Sequence, residues 1–144
     1  MQADTNQRKY LYFPNPTSLT KDGNKVKHFL AIADVYVDLL KVEPPRVIDI
    51  EPKFGKGNPE PDIFMVWQRA PFFVEIQRSY YNAKKYEDKF ERYEKYFYSD
   101  EWKSLPWQPK ERKIFPTVWI IGEQKFNWEA PFKVIQTSMV EALK

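Results

Sequence analysis

The chain has no cysteine, a single histidine and only four glycines. The first absence excludes a disulfide scaffold, a thiolate metal centre and a cysteine nucleophile, and it fits a reducing cytoplasm. The lone His28 argues against a His-rich zinc site. Gly23, Gly55, Gly57 and Gly122 do not form a phosphate-binding loop. No apolar run approaches the length of a membrane span, and Met1-Gln2-Ala3-Asp4 does not read as a signal peptide. The expectation is a cytoplasmic protein with no membrane partner.

What is present is core material. Hydrophobic residues make up 42% of the 144 residues and aromatics 17%, enough for one domain to pack without staples. The net charge of +3 permits a nucleic-acid partner without demanding one. Residues 1–24 read as an N-terminal arm, with a short strand at Tyr10-Leu11-Tyr12-Phe13 and turn chemistry at 20–24. Residues 25–144 read as the single domain.

Residues 25–41 have helical periodicity. One set (Val26, Leu30, Ala33, Val37, Leu40) and a second (Phe29, Ile32, Val35, Tyr36, Leu39) make the helix apolar on most sides, which predicts burial on most sides. Strands are expected at 46–54, 61–68 and 71–78, with Arg69-Ala70 as a tight turn between the last two. A long helix follows over 81–103, a proline-bearing connector over 104–116, and a buried strand over 117–122. An edge strand at 132–137 and a short terminal helix close the chain. The helix between the third and fourth strands predicts a crossover returning parallel, hence an α/β fold with a mixed sheet and helices against its faces.

The acidic residues of the hairpin draw chemical interest. With Arg69-Ala70 as the turn, Gln68 pairs with Pro71, and Asp62, Phe64, Glu75 and Gln77 share one face. Asp62 and Glu75 are then diagonal neighbours, with Cα atoms about 7–8 Å apart. Two carboxylates at that reach repel unless neutralised, and a divalent cation with oxygen ligands does that. Glu51, on the first strand, is a third candidate ligand. Lys53, Lys56, Arg78, Lys84, Lys85, Lys89 and Arg92 surround this region and are interleaved with tyrosines, Tyr93 among them. Such a rim suits phosphates and bases, although acidic residues alternate along the same helix as in an ordinary solvated face.

The words Pro61-Asp62 and Glu75-Ile76-Gln77, set in the order αβββαβ, resemble the PD-(D/E)XK nuclease superfamily. The resemblance covers roughly residues 25–122 and implies the restriction-endonuclease-like fold. It also implies Mg²⁺ or Mn²⁺ held by Asp62 and Glu75, and DNA as partner. A narrower likeness is to the replication-relaxation family of plasmid and phage proteins. It is carried by His28-Phe29-Leu30, Ala33-Asp34-Val35-Tyr36, Pro61-Asp62, Phe73-Val74-Glu75-Ile76 and Lys89…Tyr93…Tyr96. It makes His28 and Asp34 of interest, although a histidine satisfied by a nearby carboxylate or carbonyl is the plainer role for His28. The superfamily's lysine is replaced by Gln77. Either Gln77 orients the attacking water, or Lys89 supplies the missing charge from the helix. The readings left open are a metal-dependent endodeoxyribonuclease, acting alone, as a homodimer or with other replication proteins; an inactive DNA-binding or regulatory module on the same fold; and a protein-interaction module using residues 102–107.

Overall fold

A computed structural model describes residues 23–138. The expected strand at 10–13, most of the N-terminal arm and the terminal helix lie outside the described residues. In chain order the elements are α1 (Gly23–Val42), β1 (Val47–Ile50), β2 (Ile63–Trp67), β3 (Ala70–Ile76), α2 (Ala83–Ser99), a single 3₁₀ turn (Glu101–Ser104), β4 (Thr117–Ile121) and β5 (Val134–Thr137). The five strands form one sheet in sequence order. β1, β2 and β3 are antiparallel neighbours, while β3–β4 and β4–β5 are parallel. The fold is therefore α/β with a mixed, open sheet, and the crossover through α2 returns parallel as expected. Among the described residues no helix is long and apolar enough to cross a membrane.

Both sheet faces are covered, which is why β2 and β3 are almost continuously apolar. On one face Phe29, Ile32, Val35 and Leu39 of α1 join Ile63, Met65, Trp67, Val74 and Trp119 in a single core. On the other, Tyr93 and Tyr96 of α2 pack with Phe64, Phe73, Val118 and Ile120. Helix α1 is less buried than its composition predicts. Leu30, Val37 and Leu40 stay 59%, 51% and 41% exposed, because only the side carrying the second apolar set meets the sheet.

Several boundaries differ from expectation. The first helix takes in Gly23 and Asn24, which read as turn residues. β1 stops at Ile50 because Glu51 turns to φ 50, a left-handed conformation that ends an extended run. α2 starts after Asn82, whose side chain accepts the Lys85 N–H, and stops at Asp100, in the left-handed region at φ 64. Residues 102–107 are not a sticky surface. Trp102 is buried and stacks on Phe97, and Trp107 packs on Phe64.

The hairpin turn is Gln68-Arg69 rather than Arg69-Ala70, with φ of 51 and 66 at its two residues and Trp67 opposite Ala70. Two positive φ values give the turn the twist of a type I′ hairpin. Proline supplies the reason for the shift. The pair closing a two-residue hairpin exchanges both of its backbone hydrogen bonds, and Pro71 has no N–H to give. Set opposite Val66, one step further in, Pro71 occupies a pair that asks nothing of its nitrogen.

Candidate metal and phosphodiester site

The site forms where the strands end, away from the hairpin turn. Asp62 precedes β2 and keeps two backbone bonds: its N–H bonds Val74 O at 2.9 Å, and its carbonyl accepts the Glu51 N–H at 2.9 Å. Ile63 is the partner of Val74, and the Asp62 N–H reaches that same Val74 carbonyl, so regular alternation ends at Asp62. Glu75 is near enough for its charge to act on the Asp62 carboxyl. The two carboxylates are close in space, but their partners stand on different helices, His28 of α1 for Asp62 and Lys89 and Tyr93 of α2 for Glu75. Asp62 Oδ2 also accepts the Ile76 N–H at 2.7 Å.

Other elements complete the cluster. From α1, His28 Nε2 lies 3.0 Å from Glu51 Oε2 and 3.3 Å from Asp62 Oδ1. His28, Glu51 and Asp62 each offer a ligand atom within 4.8 Å of the others. From α2, Lys89 Nζ lies 3.3 Å from Glu75 Oε1, and the Tyr93 hydroxyl donates to Glu75 Oε2 at 2.5 Å. Glu75 is only 6% exposed, so these two donors are its means of satisfaction.

The electrostatics follow from this crowding. Burial, and then the Glu75 charge, push the Asp62 carboxyl up to about 7; the Ile76 N–H, His28 and Lys89 pull the other way. Burial alone would lower Lys89, but the Glu75 carboxylate, with Tyr81 and Asp62 behind it, carries it above the ordinary lysine value. Burial, then Glu75, holds the Tyr93 hydroxyl well above its usual range, so it stays a donor.

Two hollows flank the Glu75–Lys89 pair. One, of about 270 Å³, is lined by Glu75, Lys85, Lys89, Arg92 and Pro59 among others. The other, of about 200 Å³, is lined by His28, Asp62, Arg78, Lys85 and Lys89 among others. Lys85, Lys89, Arg78 and Arg92 thus sit around the acids. Lys53 and Lys56 line neither hollow, and Lys53 pairs with Glu60. Lys84 is paired with Asp88 on the exposed side of α2. Asp34 is exposed on α1, outside the cluster.

Two expectations are corrected here. Tyr93 is 2% exposed with its hydroxyl committed to Glu75, so it has no free ring face on which a base could stack. Gln77 does not share the acids' surroundings. It lines a separate hollow with Arg78, Tyr80 and Gln124, and its amide donates to Gln124. A β-strand alternation placed it beside Asp62, but β3 has ended by then and the side chain turns toward β4. Sequence reasoning also left His28 out of the ligand set. The available signal was its position as the only histidine, on the helix covering the strand ends.

Comparison with protein-family models, curated proteins and solved structures returned no significant match to this chain.

Proposed function

We propose that the protein is a divalent-metal-dependent phosphodiesterase acting on DNA, with a restriction-endonuclease-like core of the PD-(D/E)XK kind. The observation that carries this reading is the convergence of His28, Glu51 and Asp62 at the strand ends, with Glu75 beside them and the Lys89 ammonium 3.3 Å from Glu75. A cation fits the residues present. Burial, then the Glu75 charge, push the Asp62 carboxyl up to about 7, and an imidazole and a second carboxylate converge on it. His28, Glu51 and Asp62 would hold the ion, with Glu75 beside them. One nitrogen among oxygen donors suits Mn²⁺ at least as well as Mg²⁺. When bound, such an ion supplies Lewis acidity toward a phosphate oxygen and lowers the pKa of water.

The chain's own residues do the remaining work. Glu75 holds Lys89 in place, and the Lys89 ammonium faces the charge that develops on a phosphate during hydrolysis. Lys85, Arg78 and Arg92 draw the backbone of the substrate into the two hollows. Tyr93 fixes the Glu75 carboxylate from behind. The likeness to replication-relaxation proteins supports a role in the replication of a plasmid or phage.

The test is Mn²⁺ and Mg²⁺ titration by calorimetry, followed by nicking of single-stranded, duplex and branched DNA. Binding is expected in the wild type and lost in Asp62→Ala. Lys89→Ala is expected to keep metal binding and to lose cleavage by about 10²-fold or more. Absence of metal binding at millimolar concentrations would overturn the reading. A second reading, an inactive DNA-binding module on the same fold, is favoured by the orientation of Gln77 away from the acids. It predicts DNA binding with no nicking under any metal.

A further inference from the structure

The loop joining β3 to α2 carries an arrangement that the proposed chemistry does not use directly. Gln77 leaves β3 with its N–H bonded to Ile121 O at 2.9 Å. Its side chain lies against Gly122, where an added Cβ would come 2.6 Å from Gln77 Oε1 and 2.8 Å from its Cβ. Glycine at 122 is what leaves the slot open. From there Gln77 Nε2 donates to Gln124 Oε1.

Gln124 is itself fixed at both ends. Its Oε1 accepts the Tyr81 N–H at 2.9 Å, and its Nε2 donates to Tyr81 O at 3.0 Å. That double bond to one residue's backbone decides which end of each amide is which. Gln124 offers oxygen to Gln77, so Gln77 must present its NH₂, and Gln77 Oε1 is left buried without a partner. A buried orphan acceptor disfavours the folded state. Packing alone would be better served by an apolar side chain in this slot, so the amide is present for the bond it makes.

The other end of the chain of contacts is at the site. Tyr81 is 8% exposed, and two ammonium groups lie over its ring: Lys85 at 4.5 Å and Lys89 at 5.6 Å from the centroid. Lys89 is the residue that touches Glu75. A lysine is a point charge on a flexible stem, and it needs neighbours to be held in one place. The ring face supplies that hold through its quadrupole.

We propose that Gln77 is a positioning residue: through Gln124 it clamps the Tyr81 backbone, and the Tyr81 ring fixes where Lys89 stands over Glu75. The importance of Lys89 rests on the phosphodiesterase reading; the clamp is a geometric statement that stands apart from it. The residue occupying the superfamily's lysine position thus acts at one remove, on the lysine that replaces it.

The test is NMR of the full-length, metal-free protein with labelled lysines. Protons on the Lys85 and Lys89 ε-carbons over an aromatic face are shifted upfield, and Tyr81→Leu sets the unshifted reference. Gln77→Leu and Gln124→Leu are each expected to lose about half or more of the Lys89 displacement, as the cation–π contact loosens. Core methyl signals are expected to stay in place. Gln124→Glu keeps the acceptor for both neighbours and is expected to retain most of the shift. A Lys89 displacement unchanged in folded Gln77→Leu overturns the proposal, and so does one unchanged in Gln124→Leu should Gln77→Leu fail to fold. No metal or DNA enters the measurement, so a failure to cleave DNA would sink the nuclease reading and leave this result untouched.

Discussion

Asp62 is a carboxyl group with little water, a second carboxylate nearby, and the Ile76 N–H and the His28 ring to satisfy it. Burial first, then Glu75, raise it from 3.8 to about 7. The sign of the consequence is fixed by linkage. Between those values the folded protein holds a proton that the unfolded chain has released, so folding is favoured by acid. This contribution is fully present below about pH 4 and is lost as pH rises through 7. Metal-free protein in chelator is therefore expected to be more stable at pH 5.5 than at pH 8 by chemical denaturation. Asp62→Asn should flatten that slope and stabilise the protein at pH 8. Added Mn²⁺ should favour the wild type most at the alkaline end, where Asp62 is charged and free to bind.

Helix α1 shows how the two sides of one apolar element differ in worth. Leu39 is fully buried in the core with Ile32, while Leu30 and Val37 face outward. Leu39→Ala is expected to cost about 2–5 kcal/mol in urea unfolding. Leu30→Gln and Val37→Gln should each stay within about 0.5 kcal/mol of the wild type. The sequence showed that α1 was a helix, from its spacing, but not which side met the sheet, because both sides are apolar. The hairpin was more legible. Moving a two-residue turn by one position shifts every cross-strand partner by two, which preserves faces. Asp62 and Glu75 were therefore readable as close in space even from the wrong turn, though not that Asp62 leaves the ladder to meet His28. Gln77 was not, because its direction depends on the absent side chain at Gly122, more than forty residues on, in the order of the chain. Tyr93 was equally hidden: helical spacing put it beside Lys89, but only the packing of α2 against β3 buries it.

At the scale of the molecule, the site is gathered from α1, the end of β1, the strand ends around Asp62 and Glu75, and α2. Its basic residues line the two hollows beside the acids, and the overall charge is only +3. DNA affinity should accordingly fall with added salt, with a negative log–log slope by fluorescence anisotropy. Binding indifferent to salt, or absent at low ionic strength, would count against DNA as the partner. The Gln68-Arg69 turn lies at the opposite end of β2 from Asp62, about 17 Å away along an extended strand, and both of its residues are exposed. It is thus a natural port for a reporter. A short tetracysteine or fluorophore-acceptor tag inserted between Gln68 and Arg69 should leave Mn²⁺ affinity within about twofold of the untagged protein, since surface turns absorb insertions. In a chain with no cysteine of its own, such a tag would be the sole thiol target, ready for single-molecule work without any background to remove.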